Sequence, residues 1–148
     1  MIETKSVGLE EAQKIIDAML KYSSVMKTGR PMAHAVVDNA GILVAFARMD
    51  GASKIVRRMA ENKAYTAMTW KRDTREIEEL IKGREKTDII YFGEPERQAI
   101  IPGGCLLKLA DGTVVGAVGS SGRTVDEDEE AALVGVEAFK KTSKGLGK

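Results

Sequence analysis

Two neighbouring segments constrain this chain more than any other feature. Residues 33–38 (AHAVVD) and 42–49 (ILVAFARM) have the length and β-branched content of strands, and they flank the turn Asp38-Asn39-Ala40-Gly41. Asx chemistry and a glycine free to take positive φ suit that turn to a short hairpin with a bulge. On the second strand Ile42, Val44 and Phe46 face one way, and Leu43, Ala45 and Met49 the other. Both faces are apolar, so both need cover. A hairpin with two covered faces points to a sheet between helical layers.

The rest of the pattern supplies those layers. Leu9, Ala12, Ile16, Met19, Leu20 and Ser23 follow helical spacing over residues 9–27, and Gly29 and Pro31 stop the helix. Ser53 is a suitable N-cap for a helix over 54–71. Asp73-x-x-Glu76 and Thr124-x-x-Glu127 have the form of capping boxes, one for a short helix ending near Gly83, the other for a helix over 125–140. Segments 104–109 and 113–119 form a second hairpin around Asp111-Gly112. Residues 84–102 have no clear period, with a short strand expected at 89–92 or 98–101. With hairpins and no βαβ repeat, the fold class is α+β with an antiparallel sheet. At 148 residues the chain is read as one domain, 1–148, with 141–148 a flexible tail.

Composition narrows the chemistry. A net charge of +1 lacks the basic surplus of a nucleic-acid binder. No run approaches the ~20 apolar residues of a membrane span. The N-terminus has no leader pattern, and a single cysteine suits a reducing compartment, so the expected location is the cytoplasm. One cysteine excludes an intramolecular disulfide and any CxxC zinc or iron–sulfur site, and one histidine excludes a His-rich metal centre within a single subunit. Carboxylates, lysines, arginines, hydroxyls and glycine turns remain.

Some of these break the pattern around them. Lys63 lies on the apolar stripe Val56, Ala60, Lys63, Ala67, and Asp128 on the stripe of Ala132, Val136 and Phe139. A charge on a buried stripe is costly unless paired. Lys63 reads either as a snorkelling side chain or as a cation aimed at an anion. Asp128 reads either as a helix-dipole carboxylate or as one at a pocket mouth beside Ser120-Ser121-Gly122. Arg48 and Asp50 share a strand parity and can form a local ion pair. Arg48, Asp50, Lys63 and Asp128 clustered at one sheet end would suit a carboxylate ligand. Gly103-Gly104 and Ser121 mark anion-friendly turns. His34 is a lone strand histidine, read either as a hydrogen-bonded or exposed residue or as a metal ligand. Cys105 reads as a small buried hydrophobe.

Five stretches taken together carry a resemblance: HAVVDNAGILVAFARMDGA (34–52), AENKAYTA (60–67), IPGG (101–104), DGTVVGAVGSSG (111–122) and TVDEDEEAA (124–132). In order and spacing they resemble the GlcG/HbpS-like family, also known as the haem-degrading domain and as the C-terminal domain of PduO-type proteins. The resemblance spans about residues 8–140. It implies a profilin-like fold, a five-stranded antiparallel sheet with helices on both faces, and assembly into homo-oligomers, to which the apolar run Ile89-Ile90-Tyr91-Phe92 is suited. Asp38, Gly41, Arg48, Asp50, Gly51, Lys63, Gly103, Gly104, Gly116, Ser121, Gly122 and Asp128 are the motif positions carried over. The family often has GGxP where this chain has Gly103-Gly104-Cys105-Leu106. The implied function is binding of a small molecule, haem or a related tetrapyrrole or corrinoid, with possible breakdown of it. The alternative is acid–base chemistry on a small organic acid by Lys63 or Asp128.

Overall fold

The computed structural model describes residues 1–26, 29–84, 94 and 96–146. Helix α1 (Leu9–Val25) leads into strands β1 (Ala33–Asp38) and β2 (Leu43–Arg48). Helices α2 (Lys54–Trp70) and α3 (Thr74–Leu80) follow, then β3 (Gly104–Lys108), β4 (Val114–Ser121) and the last helix, α4 (Val125–Leu146). The four strands form one antiparallel sheet in the order β2-β1-β4-β3, so two sequence-local hairpins join through the central pair β1–β4. Among the described residues there is no fifth strand. Residues 98–101 are not extended into the sheet, and 89–92 lie outside the described residues.

Alternation along β1, β3 and β4 separates two cores. Val36, Cys105, Leu107 and Val118 face α1 and α4, where Ile15, Ile16, Met19, Ala132 and Phe139 meet them. Ala35, Val37, Leu106 and Ala117 face α2 and pack on Ala64, Ala67 and Met68. The α2 side is built mostly of alanine, so helix and sheet lie close. A Cβ added at Gly119 of β4 would come within 2.0 Å of the Ala60 carbonyl oxygen. Glycine is required there for closeness, not for a turn.

The edge strand β2 is less covered than its pattern implies. Ala45 is its one buried residue, while Leu43 and neighbouring Ile42 stay 39% and 64% exposed. At an edge, a helical layer covers only part of the strand's width. The hairpin turn itself follows expectation: Gly41 has φ +78° and the Asp38 carboxylate accepts from Ala40 and Ile42 N–H at 2.9 Å each.

Caps differ in their details. Ser53 and Thr124 each accept a backbone N–H from their helices, at 3.5 and 3.3 Å. Asp73 does not cap α3. Its Oδ1 accepts from Leu106 N–H at 2.8 Å, tying the helix start to β3 instead. The helix expected over 9–27 ends at Val25, and the one expected to end at 140 continues to Leu146. Among the described residues no helix is long and apolar enough to cross a membrane.

Candidate functional site

Lys63 and Asp128 meet at the end of the sheet where β4 finishes. Lys63 stands on α2 and Asp128 in the first turn of α4, so the pair joins the two helical layers around that end. Lys63 Nζ donates to Asp128 Oδ2 at 2.8 Å and to the Ser120 carbonyl at 3.0 Å. Asp128 Oδ1 accepts from Arg123 N–H at 2.9 Å. Lys63 is 0% exposed and Asp128 3%. Burial pulls the Lys63 ammonium down from its ordinary value and pushes the Asp128 carboxyl up, with each partner's charge opposing the shift.

The glycine pair walls this site. A Cβ at Gly103, where φ is +124°, would lie 2.9 Å from Lys63 Nζ, and one at Gly104 would lie 2.3 Å from the Lys63 carbonyl oxygen. Thr74 fixes the turn, accepting from Gly104 N–H at 2.9 Å. Ser121 is buried at the end of β4, in register with Ala33, which on its other side is in register with Arg48.

Arg48 and Asp50 are therefore at the same sheet end but outside this cluster. Both are exposed, and among the described residues no ion pair joins them. Arg48 instead donates to the Ala52 carbonyl at 2.6 Å and closes the loop before α2. An exposed arginine at a strand end meets the nearest backbone acceptor at little cost. A cavity of about 390 Å³ opens beside the cluster, lined by Gly29, Arg30, Gly122, Arg123, Thr124 and Glu127. Its wall includes Arg123, whose N–H holds Asp128, so an entering molecule meets Arg30 and Arg123 before the buried pair.

His34 lies on the α1/α4 side of β1, fully buried between two hydroxyls. Nε2 is 2.7 Å from Ser23 Oγ and Nδ1 is 2.8 Å from Ser120 Oγ. Ser23 donates its own proton to the Met19 carbonyl at 2.8 Å. The ring consequently donates from Nε2 and accepts at Nδ1. As placed, neither nitrogen offers a lone pair to a metal. Burial, with the Arg123 charge behind it, lowers His34 from 6.5 to about 4.

A pH dependence follows. Between pH 6.5 and about 4 the unfolded chain protonates His34 and the folded chain does not. Stability then falls as pH falls, by up to about 3 kcal/mol from this residue, and levels off below the folded value. Urea unfolding of the wild type and His34→Gln at pH 7 and 4.5 checks it. The gap between the two proteins should shrink toward acid, and a gap independent of pH would contradict the assignment.

Sequence reasoning missed Arg123, and it placed Ser120 in the turn beside Asp128 without its contacts to Lys63 and His34. Ser120 serves Lys63 with its carbonyl and His34 with its hydroxyl. The Arg123 side chain satisfies carbonyls at the end of α1 and beyond, donating to Ser23 and Arg30 at 3.0 Å each. One signal was present: Ser23 is a polar residue on the apolar stripe of α1, and it turns out to be buried.

Residues 7–137 match the family described as haem degrading protein HbpS-like. An uncharacterised 15.0 kDa protein of Citrobacter freundii, from the dhaT-dhaS intergenic region, is 30% identical over 134 residues, covering 90% of this chain and 92% of its own. Protein GlcG of Escherichia coli strain K12 is 28% identical over 116 residues, covering 73% and 83%. Among solved structures, Klebsiella pneumoniae protein ORFY has a TM-score of 0.85 at 27% identity, covering 94% of both chains. With most of its length, including the Gly103-Gly104 turn and the Lys63 helix, within the matched span, this chain belongs to the GlcG/HbpS-like family.

Proposed function

We propose that the protein binds haem or a related tetrapyrrole or corrinoid, and that it works as a homo-oligomer. The observation that carries this reading is the match of residues 7–137 to haem-degrading HbpS-like proteins. The exposed apolar pair Ile42 and Leu43 on the edge of β2 supports assembly, because an uncovered edge strand invites pairing.

The donor set restricts how such a ligand is held. His34 has both nitrogens engaged, and burial pushes the Cys105 thiol far above its ordinary value. Neither suits an iron ligand. Lys63 and Asp128 are satisfied by one another, the Ser120 carbonyl and the Arg123 N–H, Gly103 by Ser120 N–H and Gly104 by the Thr74 hydroxyl, and in this reading these residues and Ser121 hold the sheet end in shape. Arg48, Arg30 and Arg123 are cations within reach of solvent near it.

A second reading rests on Lys63 and Asp128 themselves. Burial pulls the Lys63 ammonium down and pushes the Asp128 carboxyl up, which lowers the cost of passing the shared proton from one to the other. Such a pair can exchange a proton with a small organic acid entering the adjacent cavity. Two measurements separate the readings. Titration of the purified protein with haemin should give a saturable Soret shift. No shift would sink the haem reading, and a small carboxylate retained through purification at one per chain would favour acid–base chemistry.

A further inference from the structure

Helix α4 turns one face away from the sheet. Ala132, Gly135 and Phe139 are buried beneath it. On the outer side Glu130, Leu133, Val134, Glu137, Ala138 and Lys141 recur at helical spacing and line, with α1, an open groove of about 660 Å³. The middle of this face is apolar, and Leu133 there is 45% exposed. Its two ends carry opposite charges. Glu130 accepts from Tyr22 Oη at 3.0 Å, and Lys141 stands eleven residues further on, about 16 Å along the helix. Among the described residues no ion pair engages either of them. Glu137, between them, is held by Lys140 of its own chain at 3.0 Å.

Glu130 and Lys141 are too far apart to meet within one chain, but two copies bring them together. Consider two α4 helices running antiparallel about a two-fold axis level with the Gly135–Val136 peptide. Glu130 of each copy then comes level with Lys141 of the other, and Leu133 and Val134 come level with Ala138 and Glu137. The face is therefore complementary to itself, with acid against base at both ends and larger apolar side chains beside a small one between them. Ala18 and Ala138 keep the groove walls low, so a second helix can reach the ~8–10 Å spacing of packed helices.

We propose that this face of α4 seats the α4 helix of a second copy, antiparallel, with Glu130 and Lys141 pairing across the two-fold axis. This rests on the homo-oligomer part of the reading above and names its surface. An exposed ion pair adds little affinity. The apolar centre supplies the attraction, and the charges select the direction, because a parallel pair in register would set Glu130 against Glu130 and Lys141 against Lys141. The open edge of β2 is a separate surface, so the two contacts can act in one assembly.

The test is the mass in solution, by light scattering after size exclusion, of the wild type, Glu130→Lys, Lys141→Glu, an equimolar mixture of these two, and Leu133→Asp, each first shown folded by circular dichroism. Either charge reversal sets like charges together at both ends of the pair. Each should weaken pairing by roughly tenfold or more and bring the mass to half or less where the wild type is assembled. Leu133→Asp should do the same without touching either charge. In the mixture one copy has lysine at both positions and the other glutamate at both, so both ends attract again and the wild-type mass should return. Mixing cannot repair a defect that lies inside one chain. A monomeric wild type overturns the assembly reading and this surface with it. A wild type that assembles, with any of the three variants unchanged in mass or with a mixture that fails to recover, overturns the α4 pairing alone and leaves the groove to another occupant.

Discussion

Replacing Lys63 with methionine should lower the stability of the protein by about 3–5 kcal/mol, the cost of stranding one charge of a buried pair. Asp128 is 3% exposed and keeps only the Arg123 N–H once the ammonium is gone. For a chain of this size the loss corresponds to a melting temperature roughly 10 °C lower. The double variant Lys63→Met/Asp128→Leu should recover most of it, because an apolar pair of similar volume replaces the ion pair at little net cost. The sign of the pH effect also follows. In the single variant the Asp128 carboxyl has a folded value above its unfolded one, so its protonated form is tolerated and its charged form is not. The deficit relative to wild type should shrink as pH falls. A double-mutant cycle by thermal melts at two pH values measures both effects. A coupling energy near zero would show that the pair is not what joins α2 to α4.

Gly119→Ala should be the most damaging single-methyl change in the chain. The new Cβ would meet the Ala60 carbonyl oxygen at 2.0 Å and the Ala64 amide nitrogen at 2.7 Å. Both are backbone atoms of α2, so no rotamer change relieves the clash and the helix must leave the sheet. The expected loss exceeds ~4 kcal/mol, the range reserved for a named structural failure. Gly112→Ala provides the comparison. Gly112 has φ +86° with nothing within 4 Å of an added Cβ, so only the local strain of about 1–2 kcal/mol applies. Soluble yield and melting temperature of the two variants rank them. Equal behaviour would mean that α2 is not held against β4 by contact.

The legible parts of this fold and site were those in which a residue contradicted its immediate surroundings. Lys63 and Asp128 stood out because an ion on an apolar stripe is expensive, and the structure brings them within 2.8 Å. The Asp38–Gly41 turn was readable because its requirements are local. What distance along the chain controls was not readable. His34 stands 11 residues from Ser23 and 86 from Ser120, and no spacing rule joins three such positions. Asp73 had the residue type and position of a cap, yet a strand N–H from Leu106 outcompeted its own helix. Arg48 matched the parity of Asp50, but exposure left it free to take a backbone carbonyl. The sheet order was beyond pattern because two hairpins can be joined through several pairs of strands, and no local signal chooses among them.

That order has a kinetic consequence. β1 finds β2 within a few residues, and β3 finds β4 in the same way, but the sheet closes only when Ala33 comes to lie opposite Ser121. During synthesis the first hairpin and α1 emerge long before their central partner, leaving the inner edge of β1 unpaired. Pairing across so long a loop must pay its closure entropy before contacts reward it. Folding of this protein should accordingly be limited by the docking of two preformed hairpins, and the nascent half-sheet is the species in which chains are most prone to pair with one another.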